Sequence, residues 1–159
     1  MNLPPDLDSF GLVALAALLG GVIGFEREIA DKPAGLRTHI FVAAGAALLV
    51  LLAEGAVDFF QRSGSGEKIE ADPIRIIQAI VVGISFLGAG TIVHRRGSEV
   101  EGLTTAASIF LTASIGIAVA LGRVWLAVAT TLLALLVLTA VNWIEWKLLG
   151  KSPPDTSRE

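Results

Sequence analysis

Between positions 102 and 144 the only charged residue is Arg123. As one straight α-helix that run would be about 65 Å long, at about 1.5 Å per residue. The hydrocarbon core of a bilayer is about 30 Å thick, and about 20 apolar residues cross it. One spanning helix therefore cannot hold the run. The chain turns back near Gly122 and Arg123, and the two halves form a helical hairpin. Barrel strands would alternate apolar and polar residues over about ten positions, which this run does not do. Composition extends the conclusion to the whole chain. Of 159 residues 53% are hydrophobic and 17% are charged, with a mean hydropathy of +0.72. Soluble domains carry about 25% charged residues, and a chain this short buries only about two-thirds of its surface. The excess of apolar surface excludes a soluble monomer and a disordered chain. The reading is an all-α, polytopic membrane helix bundle.

Five uncharged stretches supply its helices: 10–25, 40–53, 76–93, 102–122 and 124–144. The first is short and draws on its flanks. The second runs on toward Phe60 and carries Glu54 at the membrane edge. Residues 1–146 form the transmembrane domain, and 147–159 form a loose cytoplasmic tail. Of the 12 basic residues, eight fall on one side: Arg27, Lys32, Arg37, Arg95, Arg96, Lys147, Lys151 and Arg158. The other side has Arg62, Lys68, Arg75 and Arg123. Cytoplasmic loops carry the basic excess, so the N-terminus lies outside and the C-terminus in the cytoplasm. No basic n-region of a cleaved signal peptide precedes the first stretch.

Several classes of function fall away. A net charge of −3 gives no electrostatic case for nucleic acid. Without cysteine there is no thiol nucleophile and no cysteine metal site. Neither a phosphate loop nor an H-E-x-x-H motif occurs. The expectation is a protein that is not an enzyme and carries no cofactor. His39 and His94 are a weak metal pair, and no metal is assigned to them.

Small residues recur every fourth position at Ala16, Gly20 and Gly24, and again at Thr104, Ser108, Thr112, Gly116 and Ala120. Such spacing lets helices approach closely in lipid. It serves packing within the bundle or a face shared with a second copy, a dimer first. Besides the bilayer, other membrane proteins are the remaining candidate partners. Gly21 and Gly35 stand at the same spacing as Gly88 and Gly102. One constant shift lays Gly35-Leu36-Arg37-Thr38 on Gly102-Leu103-Thr104-Thr105, which suggests a parallel two-helix repeat of the kind known in small transporters. Asp72 and Pro73 open the third helix as cap and first residue. Arg75, Gln78 and Ser85 then share one helical face. With Asp72, Ser108 and Thr112 they make a polar stripe, either helix glue or the wall of a narrow path.

The segment 26–39 is denser in charge than an inside loop requires. Glu28 with Lys32, and Arg27 with Asp31, are spaced for i, i+4 pairing, and Pro33 ends the helix. Glu26, Arg37 and His39 have no such local partner. Ionisable groups at a membrane boundary that face the bundle interior tend to be functional. The topology puts three blocks on the cytoplasmic side. Glu26, Arg27, Arg37, Thr38 and His39 are therefore expected to converge with Gly88, Ala89, Gly90, Thr104 and Thr105 on a ligand or partner site. Helix starts near Leu36 and Leu103 would offer free N–H groups to a carboxylate such as Glu26 or to an outside anion.

Three ordered blocks carry a family resemblance: Glu26-Arg27-Glu28 with Pro33-Ala34-Gly35-Leu36-Arg37-Thr38-His39; Asp72-Pro73-Ile74-Arg75 leading to Phe86-Leu87-Gly88-Ala89-Gly90; and Gly102-Leu103-Thr104-Thr105-Ala106-Ala107-Ser108. From about Asp8 to Val141 the chain resembles the MgtC/SapB family of bacterial membrane proteins, in its short, membrane-only form. The resemblance implies an inner-membrane protein tied to magnesium limitation, acid stress and virulence. It implies a regulator acting on other membrane proteins, or, as the alternative, an oligomeric transporter or channel for magnesium or protons. Larger members carry a soluble C-terminal domain, and only a short tail follows the last span here.

Overall fold

The computed structural model describes residues 5–62, 73–94 and 100–149, with side chains for 7–57, 59, 74–92 and 100–140. Five helices dominate: α1 (Pro5–Ile29), α2 (Leu36–Arg62), α3 (Pro73–Ala89), α4 (Leu103–Ala120) and α5 (Val124–Leu149). Three are long and apolar enough to cross a membrane, over Leu7–Ile29, Leu36–Val57 and Leu103–Ala120; α3 and α5 carry the shorter apolar stretches Ile74–Ala89 and Val124–Ala140. The chain is a membrane helix bundle. α1 and α2 outrun their uncharged stretches because charge does not end a helix. Glu and Arg are good helix formers, and α1 runs through Glu26, Arg27 and Glu28 to Ile29. α3 is shorter than expected and stops at Ala89. α5 continues three residues past position 146.

The ends of α1, α3 and α4 each have a local cause. At the end of α1, Lys32 N–H donates to the Arg27 carbonyl and Asp31 N–H to the Glu28 carbonyl, with Asp31 left-handed at φ 52°. This is the six-to-one, five-to-two closure that satisfies orphan carbonyls. The same closure follows α4, where Gly122 takes φ 72° and Arg123 N–H donates to the Ala118 carbonyl at 2.8 Å. That turn is the one the apolar run required. α3 ends through the tighter bonds Thr91 N–H to Gly88 O and Ile92 N–H to Ala89 O.

Among the described residues, the one departure from helices and turns follows α3. Strands β1 (Val93–His94) and β2 (Val100–Glu101) pair antiparallel, Val93 opposite Glu101 and His94 opposite Val100. The chain must reverse within a few residues before α4, and pairing satisfies the backbone groups of that reversal. Gly102 closes it at φ 92°, where an added Cβ would strike the Thr91 carbonyl oxygen.

α2 and α4 are the centre. α1 lies along α2 and also touches α4 and α5; α3 lies on α4 and, more lightly, on α2. α4 is the most enclosed, with 56% of its span buried against 33% for α1 and 28% for α2. Small residues make this possible. A Cβ on Gly20 would sit 2.5 Å from the His39 carbonyl oxygen and 2.7 Å from Ala43 Cβ, and one on Gly116 would strike the Ala43 carbonyl. Ala16 is fully buried, and Gly24 lies against Leu36 and His39. Gly20 and Gly24 are therefore spent on α2, and with Ala16 buried beside them this face is not free for a second copy. Outward, Phe41, Val82, Phe86 and Trp125 are largely exposed. Apolar patches of this kind mark a membrane-facing surface.

Candidate functional site

Glu26 and Arg27 end α1, His39 opens α2, and Thr105 and Ser108 open α4. The close α1–α2 and α2–α4 contacts draw these starts and ends together. Arg27 is only 2% exposed, and its Nη2 donates to Thr105 Oγ1 at 3.3 Å. His39 is fully buried, with Nδ1 2.9 Å from the Gly35 carbonyl and Nε2 3.1 Å from Ser108 Oγ. Arg27 lies within electrostatic reach of both His39 and Glu26. α1, α2 and α4 are thus tied at one end of the bundle by two polar links that cross the interior.

The Gly35 carbonyl only accepts, so Nδ1 carries a proton. The Ser108 hydroxyl lies between two acceptors, the Thr105 carbonyl at 2.8 Å and His39 Nε2 at 3.1 Å. A serine has one hydrogen to give, so a neutral ring and the Thr105 carbonyl compete for it. Two atoms lack any hydrogen-bond partner among the described residues: Glu26 Oε2 and Arg27 Nε, one an acceptor and one a donor, both buried. Unmet buried polar atoms are costly, and charged ones more so. The cluster is therefore built with one donor and one acceptor open.

Several expected contacts take another form. Glu28 does not pair with Lys32; its Oε2 accepts from Leu36 N–H at 2.9 Å and caps α2. Arg27 turns inward to Thr105 and not to Asp31. The carboxylate on a helix start is thus that of Glu28, not Glu26. Of the other expected members, Gly88 is buried against Ala106 on the first turns of α4 and Thr38 is half-buried. Arg37, Ala89, Gly90 and Thr104 are exposed and stand outside the buried cluster. Thr104 and Ser108 instead line a cavity of about 230 Å³ between α1, α4 and α5, otherwise walled by residues such as Ile23, Leu133 and Leu138.

Among the described residues the polar stripe is not gathered into one wall. Arg75, Gln78 and Ser85 are exposed on α3, and Asp72 lies outside the described residues. Ser108 and Thr112 are buried, but their hydroxyls donate to their own helix, at the Thr105 and Ser108 carbonyls. The His94 side chain also lies outside the described residues, and among those described no three acidic or histidine side chains gather as a metal site. Two participants carried signals that point elsewhere. Ser108 reads as part of a stripe, yet it is the partner of His39. Glu28 reads as half of an ion pair, because its true partner is a backbone N–H eight residues on.

Comparison with known proteins adds the family. The sequence profile described as the MgtC family matches residues 13–147. YhiD of Escherichia coli strain K12, which carries the provisional name of a magnesium transporter, is 37% identical over 139 residues, covering 87% of this chain and 62% of YhiD. SapB of Bacillus subtilis is 34% identical, covering 97% of this chain and 63% of SapB. SrpB of Synechococcus elongatus is 34% identical, covering 98% of this chain and 95% of SrpB. The chain thus spans less than two-thirds of YhiD and SapB. No solved structure matches it.

Proposed function

Because the chain belongs to the MgtC family, we propose that it is a non-enzymatic regulator of the bacterial inner membrane, linked to magnesium limitation. It acts through the Arg27 cluster, which lies at the cytoplasmic face with the N-terminus outside and the C-terminus inside. The observation that carries this reading is the open pair, Arg27 Nε and Glu26 Oε2, buried without partners among the described residues. Ionisable groups held inside a membrane protein usually mark function. A ligand or a partner's backbone that offers one acceptor and one donor would complete both. The roles in acid stress and virulence that the resemblance implies belong to the same proposal, as does action on other membrane proteins.

The second reading is a cation transporter, for magnesium or protons, working as an oligomer. The name of YhiD favours it. Against it stands the outward placement of Arg75, Gln78 and Ser85, so a polar route would need surfaces from more than one copy. Glu26→Gln and Arg27→Gln, matched for membrane level, should abolish complementation in a low-magnesium growth assay. Proteoliposomes of the parent should show no flux of magnesium or protons above empty vesicles. Full complementation by both variants overturns the first reading. Saturable flux that Arg27→Gln removes establishes the second.

A further inference from the structure

A groove of about 580 Å³ runs between α2 and α3, with no member of the Arg27 cluster in its lining. Its volume is that of a site for a ligand of moderate size, about 300–1,000 Å³. Its α2 wall includes Phe41, Gly45 and Leu49, and its α3 wall runs from Arg75 past Gly83 to Ile84. Gly45 and Gly83 leave it open: an added Cβ at either would meet nothing within 4 Å. All of the lining is apolar except Arg75, at the end where α3 begins. The Arg75 side chain makes no hydrogen bond or ion pair among the described residues. From Arg75 to Ile84 a helix rises about 13 Å, close to half of the roughly 30 Å hydrocarbon core. The groove therefore has the depth of one leaflet, a cation at its polar edge and hydrocarbon walls below.

We propose that this groove binds one glycerophospholipid from the leaflet on the side where α3 begins. The phosphate diester meets the Arg75 guanidinium, which is suited to phosphate oxygens. One acyl chain lies along Gly45 and Gly83. Charge complementarity selects this occupant over a second copy of the chain: a cation at the polar edge of an apolar groove one leaflet deep matches a phosphate above an acyl chain, which an apolar helix does not.

Native mass spectrometry of the full chain, released from nanodiscs of bacterial phospholipid, tests the proposal. The parent should retain one phospholipid per chain. Gly45→Leu with Gly83→Leu fills the groove, in space that is open, and should remove the retained lipid. Arg75→Gln leaves the groove intact and should weaken retention about tenfold, the loss of about one charge-assisted bond. Equal retention in the parent, the double leucine variant and Arg75→Gln overturns the proposal. Because the chain has no cysteine, Gly83→Cys is a clean reporter for the rival occupant. Efficient disulfide dimers through Gly83→Cys in liposomes would put a second copy in the groove and overturn the lipid assignment.

Discussion

Ala43 is approached by glycines from two helices, Gly20 of α1 and Gly116 of α4. A leucine at either position has nowhere to go, because the obstacles are backbone and a β-carbon rather than flexible side-chain ends. Gly20→Leu and Gly116→Leu should each destabilise the bundle by about 1–3 kcal/mol, the usual cost of overpacking. Gly55→Leu, with no atom within 4 Å of its added Cβ, should stay within about 0.5 kcal/mol of the parent. Thermal unfolding in detergent compares the three, and equal melting of Gly20→Leu and Gly55→Leu would refute the packing scheme. The His39–Ser108 link is open to a double-mutant cycle with His39→Phe and Ser108→Ala. Side-chain bonds between membrane helices couple by about 0.6 kcal/mol on average and up to about 1.7. The upper half of that range is expected here, since both residues are buried. A coupling of zero in a mixed-micelle unfolding assay would remove the link.

Between helices, two turns of similar composition are expected to respond differently. Gly102 and Gly122 both sit at positive φ, 92° and 72°. A side chain at such angles costs roughly 1–2 kcal/mol by itself. At Gly122 the surrounding space is open, whereas at Gly102 an added Cβ also strikes the Thr91 carbonyl. Gly102→Ala should therefore lower the melting temperature more than Gly122→Ala, and the reverse order would show that the β1–β2 reversal is not tight. The start of α2 rests on the Glu28 carboxylate. Loss of a capping side chain costs about 0.5–2 kcal/mol, so Glu28→Ala should speed amide exchange at Leu36 and its neighbours without changing α4. Gly35→Ala should do the same by another route, since its Cβ would collide with that carboxylate.

At the scale of the molecule the testable claim is orientation. Eight of the 12 basic residues lie on the side assigned to the cytoplasm. Reporter fusions after Lys32 and after Arg95 should both read cytoplasmic, and two periplasmic readings would invert the topology. The proposed repeat also lives at this scale. Gly35 and Gly102, which the constant shift equates, each stand immediately before a helix, at Leu36 and Leu103. α1 lies on α2 as α3 lies on α4, with α2 against α4 between them. The two members differ in detail: Gly102 is left-handed, while Gly35 is not among the positive-φ glycines.

The membrane class, the hairpin at Gly122 and the small-residue faces were legible in the sequence because each follows from local quantities. Run length against bilayer thickness requires the turn, and residue volume at a four-residue spacing determines how near a helix can be approached. Which helix does the approaching is not local. Only the packed bundle decides that Gly20 and Gly24 face α2, that α3 leaves Arg75 and Gln78 exposed, and that Glu28 reaches Leu36 rather than Lys32. Charged residues at a helix end have several partners at equal sequence cost. Arg27 goes to Thr105, and His39 to Ser108, because burial inside the bundle brings those hydroxyls within reach, and reach is set by helix crossings that no sequence spacing contains.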